Sequence, residues 1–149
     1  MDIFVRYKAI KTALATLHPC FYYTGQYNSG KTNVQYAAPA IFIEMPKNLA
    51  INYFPGKLQV AKGVIIKIHL LTSAPYKSHD NSIQDSAVAA HQAKVNEINN
   101  LMSGFEIRND NNKLLASQFI FVNANILNYR ESFAYSILTY TCEFYHKEG

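Results

Sequence analysis

The sequence predicts an α+β domain: a mainly antiparallel β-sheet of about four to five strands, with two helices packed on one face. Three observations carry this. From Val64 to Leu71, the residues Val64, Ile66, Ile68 and Leu70 alternate with Ile65, Lys67, His69 and Leu71, so a strand there has one wholly apolar face and one mixed face. Two segments repeat apolar residues at helical spacing instead and can cover the apolar face. Finally, two long alternating runs near the end of the chain are separated by the short polar turn Asn128 to Ser132, which pairs them as a hairpin.

Taken in order, Ile3, Tyr7, Ile10, Leu14 and Leu17 form the stripe of a first helix, with Asp2 at its start and Pro19 just past its end. Cys20 to Thr24 reads as a short aromatic strand, followed by a polar stretch from Gly25 to Val34. Ala40 to Met45, bounded by Pro39 and Pro46, is a second strand, with Ile41 and Ile43 facing one side and Phe42 the other. Between Pro46 and Gly56 lies a loop that packs on something, because Leu49, Ile51, Tyr53 and Phe54 make it more apolar than a free loop. Leu58 to Val60 lead past Gly63, a position for a bulge, into the central strand.

Thr72 to Asn81 is a polar connection, and Ser82 or a neighbour caps a second helix that runs to Ser103 and stops at Gly104. Its stripe is Val88, Val95, Ile98 and Met102, with His91 near it as a packing residue. Asn109 to Asn112 is a polar turn. Gln118 to Asn128 sets Ile120, Val122, Ala124 and Ile126 against Phe119, Phe121, Asn123 and Asn125, the pattern of a half-buried strand. Phe133 to Tyr145 is the last strand, burying Leu138, Tyr140, Cys142 and Phe144. At 149 residues the chain suits one domain, residues 1–149.

Composition narrows the functional classes. The net charge of +4 comes from Lys and Arg residues scattered along the chain, without the clustering of a protein that reads DNA sequence. Two cysteines, Cys20 and Cys142, make no disulfide framework and no CxxC pair, and an inward-facing Cys142 is expected to be inert. Charges within the first eleven residues break any signal-peptide core, and no apolar run reaches the ~20 residues of a membrane span. Synthesis and assembly inside the cell are therefore expected, with no membrane partner.

One catalytic motif is matched. Gly25 to Thr32 has the GxxxxGK[ST] spacing of a phosphate-binding loop, in which Gly25 and Gly30 shape the backbone, Lys31 reaches phosphates and Thr32 holds Mg²⁺. Such a loop follows a buried parallel strand and opens a helix, yet Pro39 comes seven residues after Thr32 and the strand from Ala40 follows at once. An incidental connector is the preferred reading, and a small nucleotide-binding protein the alternative. His79-Asp80 resembles a metal-dependent phosphohydrolase dipeptide but falls in a polar loop without helical partners. No cofactor, metal site or catalytic group is expected.

The layout as a whole resembles phage and prophage tail terminators, also called tail-completion or head-to-tail joining proteins. The resemblance rests on the N-terminal helix, Gly25-Gln26, Pro39 to Glu44, Gln59 and Gly63 before Ile65 to Leu71, the helix closing at Leu101-Met102-Ser103-Gly104-Phe105, and the hairpin ending Leu138 to Phe144. It implies a structural protein without catalysis, typically a hexameric ring of identical subunits, that ends tail-tube polymerisation and offers a surface to the head connector. Its partners would be tail-tube and head-connector proteins, and its place the bacterial cytoplasm during assembly and then the virion.

Overall fold

The computed structural model describes residues 1–26, 39–73, 84–130 and 133–147. The first helix, α1 (Ile3–Leu14), starts where the sequence places it. The Asp2 carboxylate accepts hydrogen bonds from the amides of Phe4 (2.8 Å) and Val5 (3.4 Å), which otherwise have no intrahelical partner. Four strands follow: β1 (Cys20–Tyr22), β2 (Ala40–Glu44), β3 (Ile51–Phe54) and β4 (Leu58–Ser73). The second helix, α2 (Asp85–Met102), precedes β5 (Ile107–Arg108), β6 (Leu114–Ala116), β7 (Ile120–Arg130) and β8 (Phe133–Lys147).

Among the described residues all eight strands belong to one sheet, ordered β1-β2-β4-β8-β6-β5, with β3 also on β4 and β7 also on β8. The sheet is thus larger than the four to five strands expected. The additional strands have physical reasons to escape pattern reading: β5 and β6 are two and three residues long, too short to show alternation. The apolar loop after Pro46 proves to be strand β3, turning back on β4 through Gly56 and Lys57, both at positive φ. The ladder is antiparallel throughout except between β1 and β2, which run parallel.

The axis of the sheet is the β4–β8 pair, which runs from Leu58↔Lys147 to Ser73↔Phe133. The chain passes Gly63 as foreseen, with a register shift between Ala61 and Val64 and Gly63 at φ +63°. Because the bulge absorbs the one extra residue, β4 continues for 16 residues instead of breaking into two strands.

Both helices lie on one face. Tyr7, Ile10 and Leu14 of α1 and Val95, Ile98 and Met102 of α2 share a single core with Val64, Ile66, Ile68 and Leu70 of β4 and with Leu138, Tyr140, Cys142 and Phe144 of β8. The opposite face holds a smaller cluster of Ala40, Phe42 and Leu71, flanked by Phe21, Tyr23, Phe133 and Tyr135. Ile41 and Ile43 therefore face the helices and Phe42 faces away, as the alternation of β2 requires. At the start of α2 the cap position falls on Gln84, whose side chain makes no capping bond, and Ser82 lies outside the described residues.

Candidate functional site

The largest departure from the sequence pattern is β7. The expected half-buried strand instead leaves Ile120 63% exposed, with Phe121, Val122 and Ile126 also exposed. Two bulges against β8 also interrupt its alternation. Phe121 pairs with Tyr140 and Asn123 with Thr139, so Val122 is an inserted residue; Asn125 pairs with Ile137 and Asn128 with Tyr135, so Ile126 and Leu127 together oppose Ser136. Each insertion reverses the alternation. The strand is hydrogen-bonded on one side by β8 and pairs with no other strand among the described residues.

The second bulge is held from behind by buried polar groups. Leu127, at φ +60°, donates its amide to Ser136 Oγ at 2.9 Å. Ser136 Oγ lies 2.6 Å from His91 Nε2, and His91 Nδ1 lies 2.6 Å from Thr72 Oγ1. His91 is thus fixed between β4 and β8 by hydroxyls on both ring nitrogens, and it is the satisfied packing histidine that the sequence indicated. Burial, assisted by Lys94, lowers its pKa to about 4. The neutral ring has one donor and one acceptor, so one hydroxyl donates to it and the other accepts from it.

The phosphate-loop match is divided by the structure. Gly25 follows β1 at φ +82°, and the Gln26 side chain ties the turn down, accepting from the Thr24 amide at 2.7 Å and donating to the Tyr22 carbonyl at 2.7 Å. Gly30, Lys31 and Thr32 lie outside the described residues, as does His79-Asp80. Beside Gly25 the parallel end of β2 presents Glu44, 3.9 Å from Lys67 Nζ and 3.7 Å from His69 Nε2. His69 is stacked on Tyr23, ring centroids 4.0 Å apart. Burial, with Lys67 adding to it, brings the His69 pKa to about 4, so near neutral pH its contact with Glu44 is polar and not an ion pair.

Cys20 and Cys142 are buried, and burial pushes their thiols up to about 11 and about 12, which disfavours the nucleophilic thiolate. No group of three or more His, Cys, Asp or Glu among the described residues is placed to hold a metal ion. No helix among them is long and apolar enough to cross a membrane.

Sequence reading missed Arg6. It lies on the apolar stripe of α1, three residues after Ile3 and four before Ile10, and is only 2% exposed. That position was the available signal, since a charged residue on a helix's buried stripe needs buried partners.

The chain matches no protein-family model, and a search of curated proteins returns no match.

Proposed function

We propose that this chain is a structural assembly protein of the tail-terminator type, working as a ring of identical subunits and without catalysis. One observation supports the assembly reading above the others: the edge of β7. From Gln118 to Tyr129 the sequence has no charge, proline or glycine. Exposed edges are ordinarily guarded by lysine, proline or a covering element, because unpaired backbone groups beside apolar side chains invite another strand. Among the described residues no second strand covers the β7 edge and Ile120, Phe121, Val122 and Ile126 lie exposed along it; a neighbouring subunit is the occupant that would protect it in every copy. Head-to-tail contacts of this kind close into a ring when the rotation permits. Tail-tube and head-connector proteins, as the neighbours of that ring, are what the resemblance to tail terminators implies.

Native mass measurement over a range of concentrations tests the assembly. The expected result is a closed oligomer, typically of six subunits, that dissociates in the double variant Ile120→Lys, Val122→Lys. A parent chain that stays monomeric at the highest concentrations speaks against it. Electron microscopy of particles made without the chain tests the role, with overlong tail tubes expected and tubes of normal length opposing it.

A second reading, a small nucleotide-binding protein, is favoured by the parallel pairing of β1 with β2 and by Gly25 at the end of β1, the strand-then-turn half of a phosphate loop. Against it, β1 is a three-residue strand at the end of the sheet order, where phosphate loops follow buried strands. Titration with a labelled nucleotide and Mg²⁺ separates the two readings, since only nucleotide binding predicts saturation that Lys31→Ala abolishes.

A further inference from the structure

Arg6 is a buried cation that, among the described residues, has no carboxylate in contact. Its Nε donates to the Leu115 carbonyl at 3.3 Å, Nη1 to the Asp2 carbonyl at 2.8 Å, and Nη2 to the Tyr145 carbonyl; the guanidinium also lies 5.1 Å over the Phe144 ring. Three of the five N–H groups are thereby used, all on neutral carbonyl acceptors. Among the described residues no carboxylate oxygen lies within 4.0 Å of it, and the nearby Asp2 carboxylate is engaged in capping α1. Burial lowers the Arg6 pKa, with Asp2 opposing only in part. A guanidinium nevertheless stays charged, so among the described residues its positive charge is undercompensated.

That charge borders a cavity of about 390 Å³ between the start of α1, the β5–β6 turn and the end of β8. Lys113 and Lys147 line it with Arg6, as does Asp2, whose carboxylate accepts from the Phe4 and Val5 amides at the start of α1. Lys113 is set in place by its turn, because Asn109 Oδ1 accepts from the amides of Asn111 and Lys113, each at 2.9 Å. Lys147 is placed by pairing with Leu58 across the β4–β8 ladder. Val5, Leu58 and Leu115 give the cavity apolar wall.

We propose that this cavity binds an oxyanion, carboxylate or phosphate, held by the remaining guanidinium N–H groups of Arg6 and the ammonium groups of Lys113 and Lys147. Charge-assisted bonds from a planar guanidinium suit either anion, and the low-dielectric surroundings of Arg6 strengthen them. The site is separate from the proposed assembly edge. β7 pairs with β8 between Phe133 and Thr141, whereas the cavity meets β8 at Tyr145 to Lys147, so either idea can fail alone.

The test uses the full chain in NMR titrations at constant ionic strength, following backbone amides and the Arg6 Nε–H. One arm adds inorganic phosphate and the other a capped glutamate, N-acetyl-glutamate N-methylamide; the tighter arm identifies a free phosphate or a protein carboxylate as the natural source. Saturable shifts centred on Arg6, Lys113 and Lys147 are expected. They should weaken about tenfold in the exposed, fold-neutral double variant Lys113→Gln, Lys147→Gln, as loss of charge-assisted contacts implies. Shifts that never saturate in either arm, or saturation unchanged in the double variant, would overturn the proposal. Arg6→Lys is a further variant; because its loss of three carbonyl contacts can loosen α1, the lysine pair carries the decision.

Discussion

His91 joins three elements through one ring, and its environment sets two expectations. Replacing it by alanine removes buried volume and leaves the hydroxyls of Thr72 and Ser136 without their partner. A loss of about 3 kcal/mol in unfolding free energy is expected from cavity and desolvation terms together, measurable by denaturant titration. The second expectation concerns pH. His69 and His91 both have folded pKa values near 4, against about 6.5 unfolded, so between these values the unfolded chain binds more protons. Stability from the neutral rings is fully present above pH 6.5 and is lost as pH falls toward 4, by an amount on the order of a few kcal/mol in total. Comparing denaturant midpoints at pH 7.5 and 4.5 checks this, and His91→Ala should flatten the slope. Of these residues, the sequence made His91 legible as a packing residue because it lies at helical spacing from Val88 and Val95. Its hydroxyl partners on β4 and β8 were not legible, since nothing local links Thr72 with Ser136.

Elements were legible in proportion to their length and regularity. The 12 residues of α1 and the 18 of α2 carry clear stripes, and β4 and β8 alternate over long runs. The short strands depend on pairing with β4, β6 or β8, a tertiary fact without a local pattern. β7 misled for a different reason: its alternation is real in sequence, but the bulges at Val122 and at Ile126-Leu127 divide it. At the Gly63 bulge the sequence signal was sound and its cost can be measured. A Cβ there meets nothing within 4 Å, so Gly63→Ala should cost about 1 kcal/mol from the positive φ alone. Thermal or denaturant unfolding would read it. Asp2→Ala, which removes the cap of α1, is expected to cost a similar amount, about 1 kcal/mol.

For the molecule as a whole, the α+β class and the placement of both helices on one face followed from the apolar face of Val64 to Leu71, which had to be covered. Of the candidate sites, the uncharged run through β7 could be read in the sequence, but its exposure could not, because register decides which face is buried. Replacing Ile120 and Val122 by lysine should therefore change assembly without changing the subunit. Unfolding free energy of the monomer is expected to stay within about 0.5 kcal/mol of the parent, as for other exposed positions, while native mass shifts to a single subunit. A large loss of stability would mean instead that these side chains serve the subunit's own core.

The β4–β8 ladder also has a consequence for biosynthesis. Its two strands are separated by roughly 60 residues, which a ribosome adds over a time on the order of 3 to 12 s. Throughout that interval the nascent β4 can be flanked by β2 and β3 but not by the partner that completes its ladder, and β8 supplies much of the core it shares with the helices. The nascent chain must therefore keep its most apolar strand from straying until β8 has been made.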